Sequence, residues 1–148
     1  MRLTNRSTKE VLKMASKSLT ERTANDVMHS RYATADGFMT VADGIQLMGQ
    51  HNASAIIVNR RNEHDELGLV LASDIAKKVL AANRAADRVS LYEIMSKPVI
   101  SVRPEMNIRY CARLFAQFGL SLAPVVDIQH NVIGIIDYPQ LVAGWGAN

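Results

Sequence analysis

Leu67-Gly68-Leu69-Val70-Leu71-Ala72-Ser73-Asp74-Ile75 and Ile133-Gly134-Ile135-Ile136-Asp137-Tyr138-Pro139-Gln140-Leu141 decide how this chain is read. Each stretch is an apolar run that opens at a glycine and closes at a helix-start signal. Each follows a second strand-like run, Ala55-Ile56-Ile57-Val58 in one case and Ala123-Pro124-Val125-Val126 in the other. The chain therefore states one structural unit twice, and the places where the copies differ carry the functional information.

Outward from these stretches the register holds. Met28 and Met95, Ser54 and Ser121, and Val58 and Val125 each differ by 67 positions. So do Met39 and Met106, Leu47 and Leu114, and Gln50 and Gln117. Physical roles repeat where letters do not. Thr23 with Asp26 becomes Ser90 with Glu93, both capping-box patterns. Gly37 becomes Pro104, two turn formers, and Thr40 becomes Asn107, two good N-caps. Between Gly68 and Gly134 the offset is 66, so the second hairpin is one residue shorter.

The chain has 148 residues, which suits one domain or two small halves sharing a core. It is 48% hydrophobic and 21% charged, ordinary for a folded domain. No apolar run reaches the roughly 20 residues that span a bilayer. Arg2, Arg6, Lys9, Lys13 and Lys17 interrupt any signal-peptide core, and Cys111 stands alone, so a cytoplasmic chain without an intrachain disulfide is expected. The net charge of +3 does not by itself argue for nucleic acid.

In chain order, residues 7–20 are predicted as a helix with Val11, Leu12, Ala15 and Leu19 on one stripe and Lys9, Lys13 and Lys17 on another. That basic face reads as a solvated face on a helix packed against the body or a partner, or as an arm for nucleic acid or an anionic surface; no aromatic residue for base stacking and no helix-turn-helix pattern accompanies it, which favours the first. Ala33-Thr34-Ala35 and Val99–Val102 are strand candidates, each followed by a helix. In the first such helix Gly44 and Gly49 each weaken the pattern by about 1 kcal/mol. In the second, Ile108, Cys111, Ala112, Phe115 and Phe118 form the stripe, with Cys111 a core residue. Past Asp74 a helix should turn Ile75, Val79 and Leu80 inward. Pro139 suits the first turn of the last helix, and Gly144 should end it and leave Trp145 to pack nearby. His29, His51, His64 and His130 lack metal-ligand spacing and read as surface or loop residues. His64-Asp65-Glu66 could touch a cation but reads more simply as a solvated turn. The expected fold is α/β (α+β), two β-α-β-β-α repeats packed about a pseudo-twofold axis. A helical segment over 1–22 precedes repeats over 23–84 and 85–148. One such unit of about 60 residues buries too little core alone.

This pattern resembles the cystathionine-β-synthase (CBS) domain family in tandem. Val27-Met28 and Ile94-Met95, Ser121–Asp127, Val132–Ile136, and the spacing from Gly68 to Asp74 carry the resemblance, which covers residues 23–146. It implies a regulatory module, a homodimer, and adenosine-containing ligands, such as an adenosine nucleotide or S-adenosylmethionine, held in clefts between the copies. By that resemblance Thr34, Ser54, Ala55, Ile56, Ile57, Ser73 and Asp74 would form one site, with Asp74 on the ribose. The position that usually offers phosphate a hydroxyl is Leu71, so phosphate number would be read poorly unless Arg31, Lys77 or another base reaches in. A second, weaker cleft would use Ile100, Ser101, Ala123, Pro124, Asp137 and Gln140, with Asp137 repelling phosphate. Asp74 and Asp137 also sit where carboxylates cap helix starts. No catalytic constellation and no metal set is visible, so an enzyme is not expected. The two function classes left are a ligand sensor acting on an unknown partner and a ligand-free dimerisation or interaction module.

Overall fold

The computed structural model describes residues 22–146. The helix predicted over 7–20 lies outside the described residues. In chain order the elements are α1 (Ala24–Val27), β1 (Tyr32–Ala35), α2 (Val41–Gln50), β2 (Ala55–Val58), β3 (Gly68–Leu71) and α3 (Ala72–Ile75). There follow α4 (Leu91–Ile94), α5 (Ile108–Phe118), β4 (Leu122–Val126), β5 (Val132–Asp137) and α6 (Tyr138–Gly146). β1 runs parallel to β2 and β2 antiparallel to β3, and β4 and β5 form the second antiparallel hairpin.

The expected caps form. The Asp26 carboxylate accepts from the Thr23 N–H at 2.9 Å, and that of Glu93 from the Ser90 N–H at 2.7 Å. Ser90 and a guanidinium hydrogen bond from Arg84 hold the Glu93 carboxyl below its ordinary value. The Thr40 hydroxyl accepts from Asp43 N–H at 3.1 Å and Asn107 from Arg109 N–H at 2.8 Å. These bonds satisfy donors that a helix start leaves free.

The two copies are exchanged at their entries. Thr23 bridges Asn107 while Thr40 bridges Ser90, and His29 bridges Ile135 while Leu69 bridges Ser96. Each pair maps onto its mate by the repeat offset, which is the signature of a pseudo-twofold axis. Ala24 and Val27 of α1 are buried with Val102, Cys111, Phe115 and Ile136 in the core of the second copy. Val89, Leu91 and Ile94 are buried with Val41, Ile56 and Val70 in the core of the first. A third cluster, Ala55, Ile57, Leu69, Leu122 and Ile135, seals the sheets against each other. The repeated methionines and glycines belong to this exchange. A Cβ on Gly134 would lie 2.7 Å from the Met28 sulfur, and one on Gly68 would overlap the Met95 sulfur.

Four sequence expectations are corrected. Val99–Val102 is not a regular strand; only Val102 pairs, in parallel with Val125. Val102 N–H donates to Pro124 C=O, whereas Pro124, standing where β2 has Ile57, has no N–H to return to residue 100. Leu80 is 77% exposed. Past Ile75 the helix widens over Ala76–Leu80, with Ala81 N–H reaching Ala76 C=O, and this rotates Leu80 off the stripe that keeps Val79 inside. α6 runs through Gly144 to Gly146. Gly144 is small because the Val27 side chain occupies the space of its Cβ, and Trp145 is left 63% exposed. His29 is not a surface residue; its side chain is 10% exposed and bonded to Asp137.

Candidate functional site: clefts between the repeats

Strand alternation decides which predicted residues reach the inter-repeat space. In β2, Ile56 and Val58 face the first copy's own core, whereas Ala55 and Ile57 face the other sheet. Ile57 therefore lines a cleft and Ile56 does not. In β4 the same alternation sends Ala123 into the second core and Pro124 to a cleft. Ser54 stands at the strand entrance, its hydroxyl donating to Arg31 C=O at 3.3 Å.

Two clefts result, and each takes its walls from both copies. The wider, of ≈ 350 Å³, joins Tyr32, Thr34, Ile57 and Asn59 to His130, Asn131 and Val132 of the second hairpin. The narrower, of ≈ 100 Å³, joins Val99, Ser101, Pro124 and Val126 to Glu66 and Leu67 of the first hairpin. Arg60, Leu67 and His130 line both. The structure thus brings Thr34 and Ile57 together, and Ser101 with Pro124, but opposes each pair to the hairpin of the other copy. Ile100, Ser73, Asp74, Asp137 and Gln140 are not among the lining residues of either cleft. The floor of the wider cleft is apolar, from Tyr32, Ile57, Leu67 and Val132, and its rim carries Thr34, Asn59, Asn131 and Arg60. Its volume falls in the range of about 300–1,000 Å³ typical of small-molecule sites.

Asp74 and Asp137 share one task. The Asp74 carboxylate accepts from Leu71 N–H at 2.8 Å, reaching back over the first turn of α3, and stands 3.7 Å from Lys78 Nζ. Asp137 accepts from Gln140 N–H at 3.1 Å at the start of α6. One copy carries its helix-starting carboxylate at the third helical position, the other just before the helix. The second oxygen of Asp137 takes a 3.0 Å hydrogen bond from His29 Nε2, because His29 Nδ1 is the acceptor of Arg31 N–H at 3.2 Å and the ring's proton is left on Nε2. Gln140 contributes its backbone N–H to this cap.

Sequence reasoning missed Arg60, His130, Asn131 and Val132, which it had left in or beside hairpin loops. The available signal was the repeat itself: once two hairpins face each other across a twofold axis, each tip closes over the other copy's first strand. Apart from these clefts, a cavity of ≈ 210 Å³ is lined by the exposed ring pair Phe38–Tyr92 and by Asp65, Arg61 and Lys97. A hydrogen bond from Lys97 holds the Asp65 carboxyl well below the usual carboxylate range, aided by the Arg61 N–H. His64-Asp65-Glu66 thus spends its central carboxylate on protein cations. No group of residues with metal-binding potential occurs among the described residues. Cys111 is fully buried, and burial pushes its thiol up to about 11. No described helix is long and apolar enough to cross a membrane.

Two copies of one unit, exchanged at their entries and enclosing clefts built from both, define a tandem-repeat module rather than two independent domains. The chain belongs to the CBS domain family, which it matches over residues 24–81 and 91–142. It is 30% identical to the CBS domain-containing protein YhcV of Bacillus subtilis, over 83% of this chain and 85% of that protein. It spans only 48% and 23% of the length of other curated relatives that it matches. Among solved structures, a hexameric CBS-CP12 protein from bloom-forming cyanobacteria is 37% identical with a TM-score of 0.77, over 81% of this chain and 69% of that one. The CBS domain pair of MJ0100, in complex with 5′-methylthioadenosine and S-adenosyl-L-methionine, is 25% identical with a TM-score of 0.70, over 84% and 95%.

Proposed function

We propose that this chain is a regulatory module that binds an adenosine-containing ligand in the wider inter-repeat cleft and thereby changes its dimer or partner state. One observation carries the reading: that cleft has the size of a small-molecule site and draws its walls from both repeats. A ligand seated there touches the Thr34–Ile57 wall of one copy and the Val132 wall of the other. It binds one relative arrangement of the copies better than another, and so shifts their equilibrium. The apolar floor suits a flat base, and the Thr34, Asn59 and Asn131 rim suits ribose hydroxyls and ring nitrogens. The adenosyl ligands of the MJ0100 pair support the same ligand class. The module does no chemistry of its own on this reading.

The test is a thermal-shift screen with adenosine, 5′-methylthioadenosine, AMP, ATP and S-adenosylmethionine. A ligand at a hundred times its Kd stabilises the native state by about 2.7 kcal/mol. A rise of several degrees with at least one compound is expected. No shift with any of them hands the lead to the second reading, an interaction module without a small ligand. Two helix grooves favour that alternative specifically. One, of ≈ 250 Å³, lies between α5 and α6 and is lined by Tyr138, Val142 and Trp145. Its counterpart in the first copy, of ≈ 440 Å³, is lined by Ile45, Ala76 and Leu80.

A further inference from the structure

We infer that Arg60 reads the anionic tail of the ligand and sends anionic ligands to the wider of the two clefts; the inference rests on the adenosyl-ligand reading above. Among the described residues, Arg60 is the only Lys or Arg that lines either cleft, and it lines both. It sits between them at the start of the first hairpin's loop, half-buried. Among the described residues its single hydrogen bond runs from Nη1 to the His130 carbonyl at 3.4 Å, a long contact across the repeats. The guanidinium meets no carboxylate within ion-pair distance among the described residues, so most of its fork of donors is uncommitted. A planar five-donor fork is the side chain best matched to a carboxylate or a phosphate, which it can hold with two parallel bonds.

The surroundings break the symmetry between the clefts. The narrower cleft is also lined by Glu66, whose carboxylate opposes an anion there. The described residues that line the wider cleft include no carboxylate. One guanidinium cannot serve both clefts at once, so an anionic ligand in the wider cleft withdraws Arg60 from the narrower. The chemistry shared by the ligands it selects is an adenosine whose tail offers an oxyanion to the guanidinium: the phosphates of AMP and ATP, or the single carboxylate of S-adenosylmethionine, whose sulfonium and ammonium leave that molecule a net cation.

Calorimetric titration of the full chain and of Arg60→Gln and Arg60→Lys tests this, using adenosine and 5′-methylthioadenosine as probes without a charged tail, AMP and ATP as anionic probes, and S-adenosylmethionine as a carboxylate-bearing probe of net positive charge. Arg60→Gln should weaken the ligands whose phosphate or carboxylate the guanidinium holds by about tenfold or more, the range for a lost charge-assisted hydrogen bond. It should leave the neutral probes within about twofold and the unliganded melting temperature unchanged, because only one long, exposed hydrogen bond is removed. Arg60→Lys should fall between, keeping the charge and losing the fork. A loss confined to AMP and ATP assigns phosphate as the anion, and a loss confined to S-adenosylmethionine assigns the carboxylate. Equal weakening of neutral and anionic probes, or none for either, overturns the role of Arg60 while the adenosyl reading stands. Absence of binding by all five compounds to the unaltered chain overturns both.

Discussion

Asp74 and Asp137 show how one residue type in two registers can serve one purpose. Each carboxylate accepts a backbone N–H at the start of the helix that follows its hairpin. The sequence made Asp74 a ribose partner by resemblance and a helix cap by position, and the structure supplies the atoms of the cap. Asp74→Ala should therefore lower the stability of the unliganded chain by about 1 kcal/mol, the usual cost of a lost cap. Asp137→Ala should cost more, because it also strips the largely buried His29 ring of its acceptor. Urea melts of both variants without ligand check the order; equal stability of Asp74→Ala and the parent chain would remove the capping account. A ribose contact would add a loss of adenosyl affinity beyond this. The pairing of His29 with Asp137 was not legible in the sequence, because 108 positions separate them and only the exchange of α1 into the second copy brings them together.

At the level of elements, two glycines of one helix stand in unlike surroundings. α2 contains two glycines that composition alone treats alike. A Cβ on Gly44 would stand 3.1 Å from a Leu91 methyl and 3.2 Å from an Ile56 methyl, whereas one on Gly49 meets nothing within 4 Å. Gly49→Ala should thus stabilise the chain by about 0.5–1 kcal/mol, through helix propensity and a less flexible unfolded state. Gly44→Ala should give less than that or destabilise, since the methyl crowds a packed core. The comparison is read from the two urea midpoints, and an equal gain at both sites would contradict the close approach of α4 to α2. The strand lost at Val99–Val102 follows the same logic: the apolar pattern was right, but one proline in the neighbouring strand removed the donor on which pairing depends.

For the whole molecule, the two helix grooves are unlike an ordinary protein surface. Trp145, Val142 and Leu80 are each more than 60% exposed. Contiguous apolar area of that kind marks an interaction face. The expected occupant is a second copy, since both halves of the chain present the same kind of face and a twofold pairing reuses them. Light scattering at micromolar concentration should give about twice the 16.3 kDa chain mass. Trp145→Asp should shift the population toward monomer while leaving the clefts' residues in place. A monomeric parent chain under those conditions would refute the pairing.

The sequence by itself determined the repeat, the order of strands and helices apart from the strand expected at Val99–Val102, the caps at Thr40, Ser90 and Asn107, and the apolar character of the strands that form the clefts. Those features are local: alternation, capping and turn chemistry act within a few residues, so they are written in adjacent letters. Only the tertiary structure decided which copy completes which cleft. Thr34 and Ile57 line one cleft with Val132, and Ser101 lines the other with Leu67, because the copies pack face to face with their entries exchanged. It also placed Arg60 between the clefts and His29 on Asp137. Such contacts join residues about 30 to 110 positions apart. They exist because one such unit alone buries little core, so each copy takes the other's entry helix into its core and the two sheets seal against each other.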